Sequence, residues 1–513
     1  MDNDLYNRYF KIIAYNKDYI KKGDLYNKII ALGISIDDNR FNGLLKNIKE
    51  ELNIDDFKDL MESNFILFSK MFENTLIISD WAKFMENIEN IYNKTKLVNS
   101  GNVASYIPQL ANVNSELYGV HICSIDGQLG GFGNTDYDFC VQSCSKPFTY
   151  LIANDIHNPD YIHNFVGREP SGRNFNELCL NDDKIPHNPL INSGAIMSAS
   201  LVDYKDSMAD RFDKVLKYWY KLAGKTKVNF NTPVYLSERD TADRNYCLAY
   251  MMQESKAFSQ GKNSKYKRDW CNKDLEKTLD FYFQCCSIEI DCKQASIIAG
   301  TLANGGICPI TNERVFDKNT VKNTLSLMSS CGMYDYSGEW AYTIGIPAKS
   351  GVSGLIIGVV PNMMGIAVFS PKLDELGNSS KGIEFFKELC NLYPLHTYDT
   401  LTKKKNYAIM EEDVNIYLLL LAASKNDLNS IKSLYCKGTN LNSADYDGRT
   451  ALHLACSELN YEMVEFLLKM NVDRNMEDRW NNTPLDDLYR LRDSNSLETN
   501  KLELIELLIK LFM

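Results

Sequence analysis

Hydrophobic residues in the middle of the chain cluster into two pairs of short runs that lie far apart in sequence. The first pair begins at residues 117–124 and turns at Asp126-Gly127, and the second comprises residues 355–360 and 364–369 around a Pro-Asn turn. Short apolar runs that flank turn-forming dipeptides are typical of β-hairpins. The pattern therefore predicts one antiparallel hairpin near each end of this region.

The interval between the two hairpins carries helical periodicity instead. Apolar positions in segments 275–286 and 294–302 recur with the spacing of one helix face. Strands at both ends with helices between them predict an α+β domain over residues 104–398. We expect the two ends of this domain to close one antiparallel sheet, which the helices cover.

Residues 1–95 show helical periodicity throughout, as in Tyr9-Phe10-Ile12-Ile13 and in residues 65–72. The stretches Ile36-Asp37-Asp38 and Ile54-Asp55-Asp56 are typical of helix starts. Paired helices with acidic starts occur in calcium-binding hands, but the D-x-[DN]-x-[DN]-G loop that binds the ion is missing from this part of the sequence. The pattern predicts an all-α, EF-hand-like domain without calcium loops.

The tail is repetitive. Thr450 and Thr483 stand 33 residues apart, and the segment 448–455, GRTALHLA, matches the turn-and-helix signature of ankyrin repeats. The repeat predicts a short ankyrin stack over residues 414–513, in which His453 has a structural role rather than a catalytic one. Such repeats bind other proteins on extended surfaces, so a protein partner is expected here.

Residues 252–278 are polar and carry Lys262, Lys265, Lys267 and Arg268 close together. A solvated, exposed loop is the preferred interpretation of such a charge cluster, and a partner-binding patch is the alternative.

Charge and cysteine usage narrow the function classes. The net charge of -11 argues against a nucleic-acid binder, which needs a basic face, although a local pocket can still bind a small anion. The 14 cysteines include no C-x-x-C pair, and there are only six histidines. We expect reduced thiols and no metal site.

The location of the protein is predicted from the same composition. The chain shows neither a secretory signal nor an Arg-rich transit peptide, and its apolar run at residues 416–423 is too short to cross a bilayer. These features predict a cytoplasmic protein that does not associate with membranes.

One pair of residues could carry covalent chemistry. In Ser143-x-x-Lys146 the lysine lies one helical turn after the serine, on the same face. A desolvated lysine can act as a base for a serine at a helix N-terminus. The same spacing recurs at Ser259 and Lys262 in the polar loop, so spacing alone is weak support.

The sequence around Ser143 strengthens this hypothesis. A strand-like stretch at residues 137–141 precedes it and an apolar helix at residues 148–153 follows it. Lys349-Ser350-Gly351 stands directly before the second hairpin, and penicillin-recognising serine enzymes combine S-x-x-K with such a K-[ST]-G strand. A histidine-based triad is the weaker idea because no histidine has an evident Ser or Cys partner, and Cys144 is expected to be packed inside.

The chain resembles the beta-lactamase-related glutaminases, specifically the animal kidney-type and liver-type form with C-terminal ankyrin repeats. The matching strings span the whole middle domain and lie at residues 106–110, 142–147, 166–172, 187–195, 237–239, 243–245, 280–284, 301–306, 331–335 and 347–351. The resemblance implies a beta-lactamase/transpeptidase-like α+β catalytic domain. It also implies a serine-dependent amidohydrolase that converts L-glutamine and water to L-glutamate and ammonia.

The resemblance further implies catalytic roles. Ser143 resembles the nucleophile and Lys146 its base, which acts as a neutral amine or through a tyrosinate partner. Tyr282 and Tyr334 resemble the tyrosines that relay a proton to the leaving ammonia. The backbone N–H groups of Ser143 and Val352 would form the oxyanion hole.

The implied substrate-binding residues surround these groups. Glu238 would bind the α-ammonium group, and Asn192, Asn245 and Tyr106 would bind the α-carboxylate and neighbouring polar atoms. Ser143, Tyr282, Tyr334 and Val352 also count as substrate contacts. No cofactor is expected, and activation by inorganic phosphate is an open expectation.

The resemblance also leads to an expectation about assembly. We expect a homo-oligomer, a dimer or a homotetramer, whose interface could be coupled to the site through residues 172–180. The stretch from Asn245 to Tyr282 is longer than the family leads us to expect. A penicillin-recognising-type serine hydrolase and an inactive ankyrin scaffold remain the alternatives.

Overall fold

A computed structural model describes residues 3–14, 17–41, 43–173, 176–262, 266–399, 411–493 and 499–513. The chain forms two compact units. The first combines Met1–Leu32, Phe41–Ser79 and Lys405–Met513, and the second combines Gly33–Arg40 and Asp80–Lys404. The predicted division at residues 95, 104, 398 and 414 stays a prediction. Within the second unit, residues 33–40 and 80–95 pack with the α+β region.

The helices, numbered in chain order, are α1 Asn3–Ala14, α2 Lys22–Ala31, α3 Ile54–Glu62, α4 Phe65–Phe72, α5 Trp81–Thr95, α6 Pro108–Ala111, α7 Lys146–Ile156, α8 Pro159–Ile162, α9 Asn192–Ser200, α10 Met208–Leu222, α11 Thr232–Asp240, α12 Asp243–Glu254, α13 Ala257–Gln260, α14 Asn272–Cys286, α15 Cys292–Ala303, α16 Lys318–Cys331, α17 Ser337–Thr343, α18 Ser380–Leu392, α19 Glu411–Ser424, α20 Leu428–Cys436, α21 Ala451–Ser457, α22 Tyr461–Lys469, α23 Pro484–Arg492 and α24 Thr499–Phe512. Within the described ranges, every helix is too short or too polar to cross a lipid bilayer.

The strands are β1 Ile20–Lys21, β2 Glu51–Leu52, β3 Asn102–Val103, β4 Gly119–Ser124, β5 Leu129–Gly133, β6 Phe139–Cys140, β7 Asn229–Phe230, β8 Ile288–Ile290, β9 Ala348–Ser350, β10 Leu355–Val360, β11 Met364–Phe369 and β12 Lys372–Leu373. They form a five-stranded antiparallel sheet in the order β5-β4-β11-β10-β9, a three-stranded sheet in the order β6-β8-β7, and two small pairs, β1-β2 and β12-β3.

The five-stranded sheet joins the two ends of the α+β region. The hairpin β4-β5 pairs with the hairpin β10-β11 through β4 and β11, in a register that sets His121 opposite Ala367. Helix α15 covers this junction so closely that a Cβ at Gly365 would lie 2.0 Å from the Gly300 backbone nitrogen. Both predicted hairpins and the closure of the sheet by the two ends of the region are confirmed.

The strand predicted at residues 137–141 is shorter than expected and belongs to the smaller sheet. Only Phe139–Cys140 is extended, and it pairs with β8, with Phe139 opposite Ile290. Because β8 directly follows α14, this pairing brings the turn after β6 close to α14. The candidate nucleophile lies in that turn.

The first unit contains helices from both ends of the chain. Tyr9 of α1 donates to Glu73 at 2.5 Å, and Ser433 of α20 donates to the Glu73 carbonyl oxygen. The predicted helix start at residue 54 is confirmed, with Asn53 and Asp56 forming a capping box. The start predicted near Asp38 leads only to a short 3-10 turn, Asn39–Phe41, and not to an α-helix. The backbone N–H and the guanidinium group of Arg40 both donate to Asp38.

The ankyrin prediction is confirmed for the repeat motifs. Thr450 and Thr483 each cap the next helix, α21 and α23, in a capping box. His453 contacts the Thr450 hydroxyl oxygen through Nδ1 at 2.9 Å and the Asn482 carbonyl oxygen through Nε2 at 3.1 Å. It therefore links successive repeats, which is the structural role expected of it.

The interpretation of residues 252–278 as an exposed loop is wrong for most of the segment, although residues 263–265 lie outside the described residues. The segment contains the end of α12, the short α13 and the start of α14. Arg268 is only 7% exposed, whereas Lys262 and Lys267 are exposed. Arg268 is buried because aromatic rings and backbone carbonyl groups surround its guanidinium group.

Candidate active site

Ser143 lies in a 3-10 turn, Gln142–Ser145, between β6 and α7. The α-helix begins at Lys146, so Ser143 precedes the helix rather than opening it as predicted. Gln142 has a positive φ of 47°, a conformation that costs energy for a residue with a side chain and is concentrated at functional sites. The turn leaves Ser143 partly exposed and buries Cys144, as expected.

Lys146 is a buried amine that has no carboxylate partner among the described residues. Its side chain is 1% exposed, and Nζ donates a hydrogen bond to Asn192 Oδ1 at 2.6 Å. Burial, and next the positive charge of Lys349, lower the pKa of Lys146 to about 7. A substantial fraction of this amine is therefore neutral at physiological pH, as a base for a serine requires.

Asn192 connects Lys146 to a second helix. It is the first residue of α9, and its Nδ2 donates to Asn245 Oδ1 on α12 at 3.1 Å. A Cβ at Gly194 would lie 1.8 Å from the Asn188 carbonyl oxygen, so only glycine permits this approach of α9 to the preceding loop. Tight packing at the start of α9 thus orients Asn192.

Tyr334 reaches the serine from the other side. It has a φ of 52°, and the Ser143 side chain lies close enough to its hydroxyl group to affect its pKa. Burial raises the pKa of Tyr334 above its ordinary value, while the contact with Ser143 opposes this shift. The phenol is therefore protonated near neutral pH, and a tyrosinate base is disfavoured.

Lys349 is a second buried lysine that was absent from the predicted site residues. Its Nζ lies 4.4 Å from the centroid of the Tyr334 ring and donates to the Ser350 carbonyl oxygen. Burial lowers the pKa of Lys349 to about 8. The K-[ST]-G pattern in the sequence was the signal that could have included it.

Glu238 forms a polar pair of contacts beside the turn. The Tyr106 hydroxyl donates to Glu238 Oε1 at 2.7 Å, and Gln142 Nε2 donates to the same oxygen at 3.1 Å. Burial raises the pKa of Glu238, and these two hydrogen bonds oppose that shift. The Tyr106 ring is 49% exposed, so Tyr106 lies at the rim of the site with its hydroxyl group directed inward.

Tyr282 lies on α14, beneath the turn. Its hydroxyl hydrogen-bonds to the Cys286 thiol, and the Cys286 Sγ lies 3.7 Å from Ser145 Oγ. Burial raises the pKa of Cys286 to about 11, so this thiol is protonated and does not compete as a nucleophile. The chain Tyr282–Cys286–Ser145 ties α14 to the serine turn.

The end of β9 lies against the same turn. A Cβ at Gly351 would lie 2.9 Å from the Val141 carbonyl oxygen, so glycine allows the strand to approach. In the part of the chain that the structure describes, no protein acceptor pairs with the backbone N–H of Ser143 or of Val352. Two unpaired N–H groups beside a serine suit the stabilisation of an oxyanion.

One expectation about histidines is wrong. His121 does have a serine partner, because its Nδ1 lies 2.7 Å from Ser296 Oγ. Burial lowers the pKa of His121 to about 3. Its side chain lies between the five-stranded sheet and α15. This pair is inaccessible and supports packing rather than a triad.

Comparisons with known proteins agree with this arrangement. The family model described as Glutaminase matches residues 101–398, and one described as Ankyrin repeats (many copies) matches residues 419–468. The chain is 42% identical to Putative glutaminase 2 of Caenorhabditis elegans, over 92% of this chain and 80% of that protein. The chain belongs to the glutaminase family. It is also 41% identical to the mitochondrial liver isoform of glutaminase from Rattus norvegicus, over 88% of this chain and 73% of the relative.

Solved structures match about three fifths of the chain. The probable glutaminase ybaS is 32% identical, with a TM-score of 0.57, over 62% of this chain and 99% of the solved chain. Mglu in its tris and glutamate form is 32% identical, with a TM-score of 0.55, over 61% of this chain and 67% of the solved chain. The expected beta-lactamase-like α+β fold with C-terminal ankyrin repeats is therefore confirmed, and no comparison favours the penicillin-recognising hydrolase or the inactive scaffold.

The glutaminase structure brings the predicted site residues together around one turn. Ser143 and Lys146 meet Asn192, Asn245 and Tyr334 on one side, and Glu238, Tyr106, Tyr282 and Val352 on the others. Gln142 and Lys349 are the contacts that the predicted set lacked. In the described residues no group of three or more His, Cys, Asp or Glu side chains could hold a metal ion.

Proposed function

We propose that this glutaminase hydrolyses L-glutamine to L-glutamate and ammonia through a covalent glutamyl ester on Ser143. The observation that carries the proposal is Lys146, a buried lysine with a lowered pKa, one turn after a partly exposed serine. Support also comes from the family match over residues 101–398 and from a solved relative described in its glutamate form.

In the first half-reaction Ser143 Oγ attacks the side-chain amide carbon of glutamine. Neutral Lys146 takes the hydroxyl proton as the C–O bond forms, and the backbone N–H groups of Ser143 and Val352 stabilise the oxyanion. The C–N bond then breaks, and the nitrogen leaves as ammonia after receiving a proton. Tyr334, protonated and close to the Ser143 side chain, relays that proton from Lys146.

In the second half-reaction water attacks the ester. Lys146 accepts a proton from the water, the bond between Ser143 Oγ and the acyl carbon breaks, and the proton returns to the serine. Tyr282, held by Cys286, orients the water and the departing group. The products are L-glutamate and the regenerated Ser143 hydroxyl.

The α-ammonium and α-carboxylate groups of glutamine are bound by different residues of the site. Glu238 binds the α-ammonium group, because its carboxylate is only partly solvated and already accepts hydrogen bonds from Tyr106 and Gln142. Asn192, Asn245 and Tyr106 hydrogen-bond the α-carboxylate and neighbouring polar atoms. With both α-groups held in place, the amide of glutamine reaches Ser143 and the amide of asparagine falls one methylene short.

Substrate comparison tests this proposal. Purified protein should release ammonia from glutamine and about a hundredfold less from asparagine at equal concentration, because a misplacement of about 1 Å costs that much. Comparable rates on both amides would overturn the specificity. Hydrolysis of a chromogenic beta-lactam without ammonia release from glutamine would favour the penicillin-recognising class, and no turnover of either would favour a scaffold.

Assembly and regulation extend the proposal. The enzyme acts as a homo-oligomer, a dimer or a tetramer, which light scattering of the active species would test. Residues 172–180 couple the interface to the site, although 174 and 175 lie outside the described residues. A cavity of about 420 Å³ supports the coupling, because Gly172, Arg173 and Tyr334 all line it. Inorganic phosphate activates turnover without being a cofactor, and phosphate titration would test this.

Location and partners complete the proposal. The enzyme works in the cytoplasm, which is supported by its 14 unpaired cysteines and would be tested by fractionation of cells that express it. A protein partner binds the ankyrin repeats, with the repeat match at residues 419–468 as support. Neither nucleic acid nor a membrane is needed for activity.

A further inference from the structure

Helix α9 begins with Asn192 at the candidate active site and ends at Ser200 inside the protein. At a rise of about 1.5 Å per residue, the two ends are about 12 Å apart. A short helix moves as a rigid body, so the position of Asn192 depends on what holds the far end.

The far end of α9 is held by cationic and polar side chains. Arg211 donates to the carbonyl oxygens of Ala199 and Val202, each at 2.9 Å. His157 Nε2 lies 2.9 Å from the Leu201 carbonyl oxygen. The carbonyl groups at a helix C-terminus lack partners within the helix, and positive charge is favourable there.

Arg268 supplies further contacts of this end. It donates to the Ser200 carbonyl oxygen and, at 3.0 Å, to Ser200 Oγ. Its guanidinium carbon lies 4.4 Å from the ring centroid of Tyr204 and 4.9 Å from that of Trp270. A buried arginine that donates to a helix end and stacks on two aromatic rings is held in one orientation.

Arg268 comes from the segment between α12 and α14, within the stretch of chain from Asn245 to Tyr282. That segment is fastened to its surroundings by further contacts, in which Lys262 N–H donates to the Asn164 carbonyl oxygen at 2.8 Å and the Tyr204 hydroxyl donates to that of Asp269 at 3.1 Å. The segment therefore adds a fixed clamp on α9.

We propose that Arg268 is a positioning residue for the hydrolysis, because its clamp on the C-terminal end of α9 holds Asn192 against Lys146. This inference rests on the proposed role of Lys146. Without the clamp, α9 can tilt or slide, Asn192 loses its contact with Lys146 Nζ, and water enters beside the amine. This water replaces the Asn192 oxygen as hydrogen-bond acceptor and weakens the desolvation that keeps the amine neutral, so the pKa of Lys146 rises.

The test compares Arg268→Met with Lys267→Met, a neighbouring exposed residue that undergoes the same change of charge. For Arg268→Met we expect kcat/KM for glutamine to fall about tenfold at neutral pH, a part of the about hundredfold that a displacement of 1 Å costs. The ascending limb of kcat/KM against pH should also move to higher pH. Lys267→Met should change neither quantity.

A displaced ascending limb of kcat/KM against pH can be assigned to a change around Lys146, because few titratable groups face this amine. In the part of the chain that the structure describes, they are Lys349, Cys144 and Cys286, with Asn192 as hydrogen-bond partner, and none of them is changed in Arg268→Met. Lys146→Ala is measured first. If Lys146→Ala keeps the ascending limb of kcat/KM against pH, Lys146 is not the base. That outcome differs from one in which Lys146 is the base but Arg268 does not position α9.

Thermal unfolding separates positioning from mere stability. If Arg268→Met melts at a lower temperature but keeps the wild-type kcat/KM and limb well below its melting temperature, the inference is overturned. If that variant does not fold, Arg268→Lys replaces it, since the amine keeps the charge and loses the two-pronged contact. A smaller fall in kcat/KM for Arg268→Lys, with the ascending pH limb displaced in the same direction, supports the positioning role of Arg268. Unchanged kinetics in a folded Arg268→Lys variant overturn it.

Discussion

The ankyrin tail and the site around Ser143 differ in how far apart along the chain their interacting residues lie. In the tail, His453 bonds to Thr450, three residues away, and to Asn482, 29 residues away in the next repeat. In the site, Lys146 and Asn192 are 46 residues apart, Gln142 and Glu238 are 96 apart, and Tyr106 and Glu238 are 132 apart.

The difference predicts different responses to damage. A repeat interacts with its neighbours only, so the loss of one contact is felt locally. The site is one set of mutually dependent contacts, so removal of one member should disable the others that act with it.

Ser143→Ala and Lys146→Ala should each reduce kcat for glutamine by about four orders of magnitude or more, and the double variant should be little worse than either, since residues that act as a unit are not additive. Initial rates of ammonia release measure this. Ser259→Ala and Lys262→Ala, which have the same spacing outside the site, should keep wild-type rates. Near-normal turnover by Lys146→Ala would show that another group is the base.

Tyr334→Phe should reduce kcat about a hundredfold and change KM little, because loss of a proton relay typically costs about 10²–10⁴-fold. Tyr336→Phe, two residues along in the same 3-10 turn, is the matched control and should behave as wild type. A Tyr334→Phe variant with raised KM and unchanged kcat would assign Tyr334 to substrate binding instead.

Activity should rise with pH through the pKa of Lys146, about 7. The reaction uses the neutral amine, so below that pH kcat/KM should fall about tenfold for each pH unit. Activity rises with pH because the pKa of Lys146 is lowered, so the charged amine, which cannot act as the base, accumulates only as the pH drops. A profile of kcat/KM for glutamine from acid to alkaline pH measures the limb, and a flat profile across neutrality would contradict the assignment.

Deletion of residues 411–513 should leave kcat/KM within about twofold, because the predicted catalytic residues all lie in the other compact unit. The helices at the start of the chain should lose protection, since α20 supplies Ser433 to the Glu73 carbonyl oxygen. Hydrogen exchange of α1 and α4 measures this loss. Abolished turnover in a folded truncated protein would mean that the two units are catalytically coupled.

The prediction of the fold from sequence succeeded where local pattern decides structure. The hairpins β4-β5 and β10-β11, the helix α14 and the ankyrin caps at Thr450 and Thr483 follow from periodicity and turn chemistry within a few residues. The failures involve contacts that no local pattern contains. Arg268 is buried because Tyr204 and Trp270, 64 and two residues away along the chain (268 − 204, 270 − 268), enclose its side chain from separate segments.

For the site, the sequence determined the identities and spacing of Ser143 and Lys146 and, through family strings, the other members of the predicted set. It could not determine that Lys146 would have a lowered pKa, because that depends on burial and on Lys349, 203 residues away (349 − 146). Only the tertiary structure decided which side chains meet, that Gln142 and Lys349 join them, and that α9 is held at both ends. Desolvation and close packing arise from the folded arrangement of distant segments, and local sequence carries no measure of either.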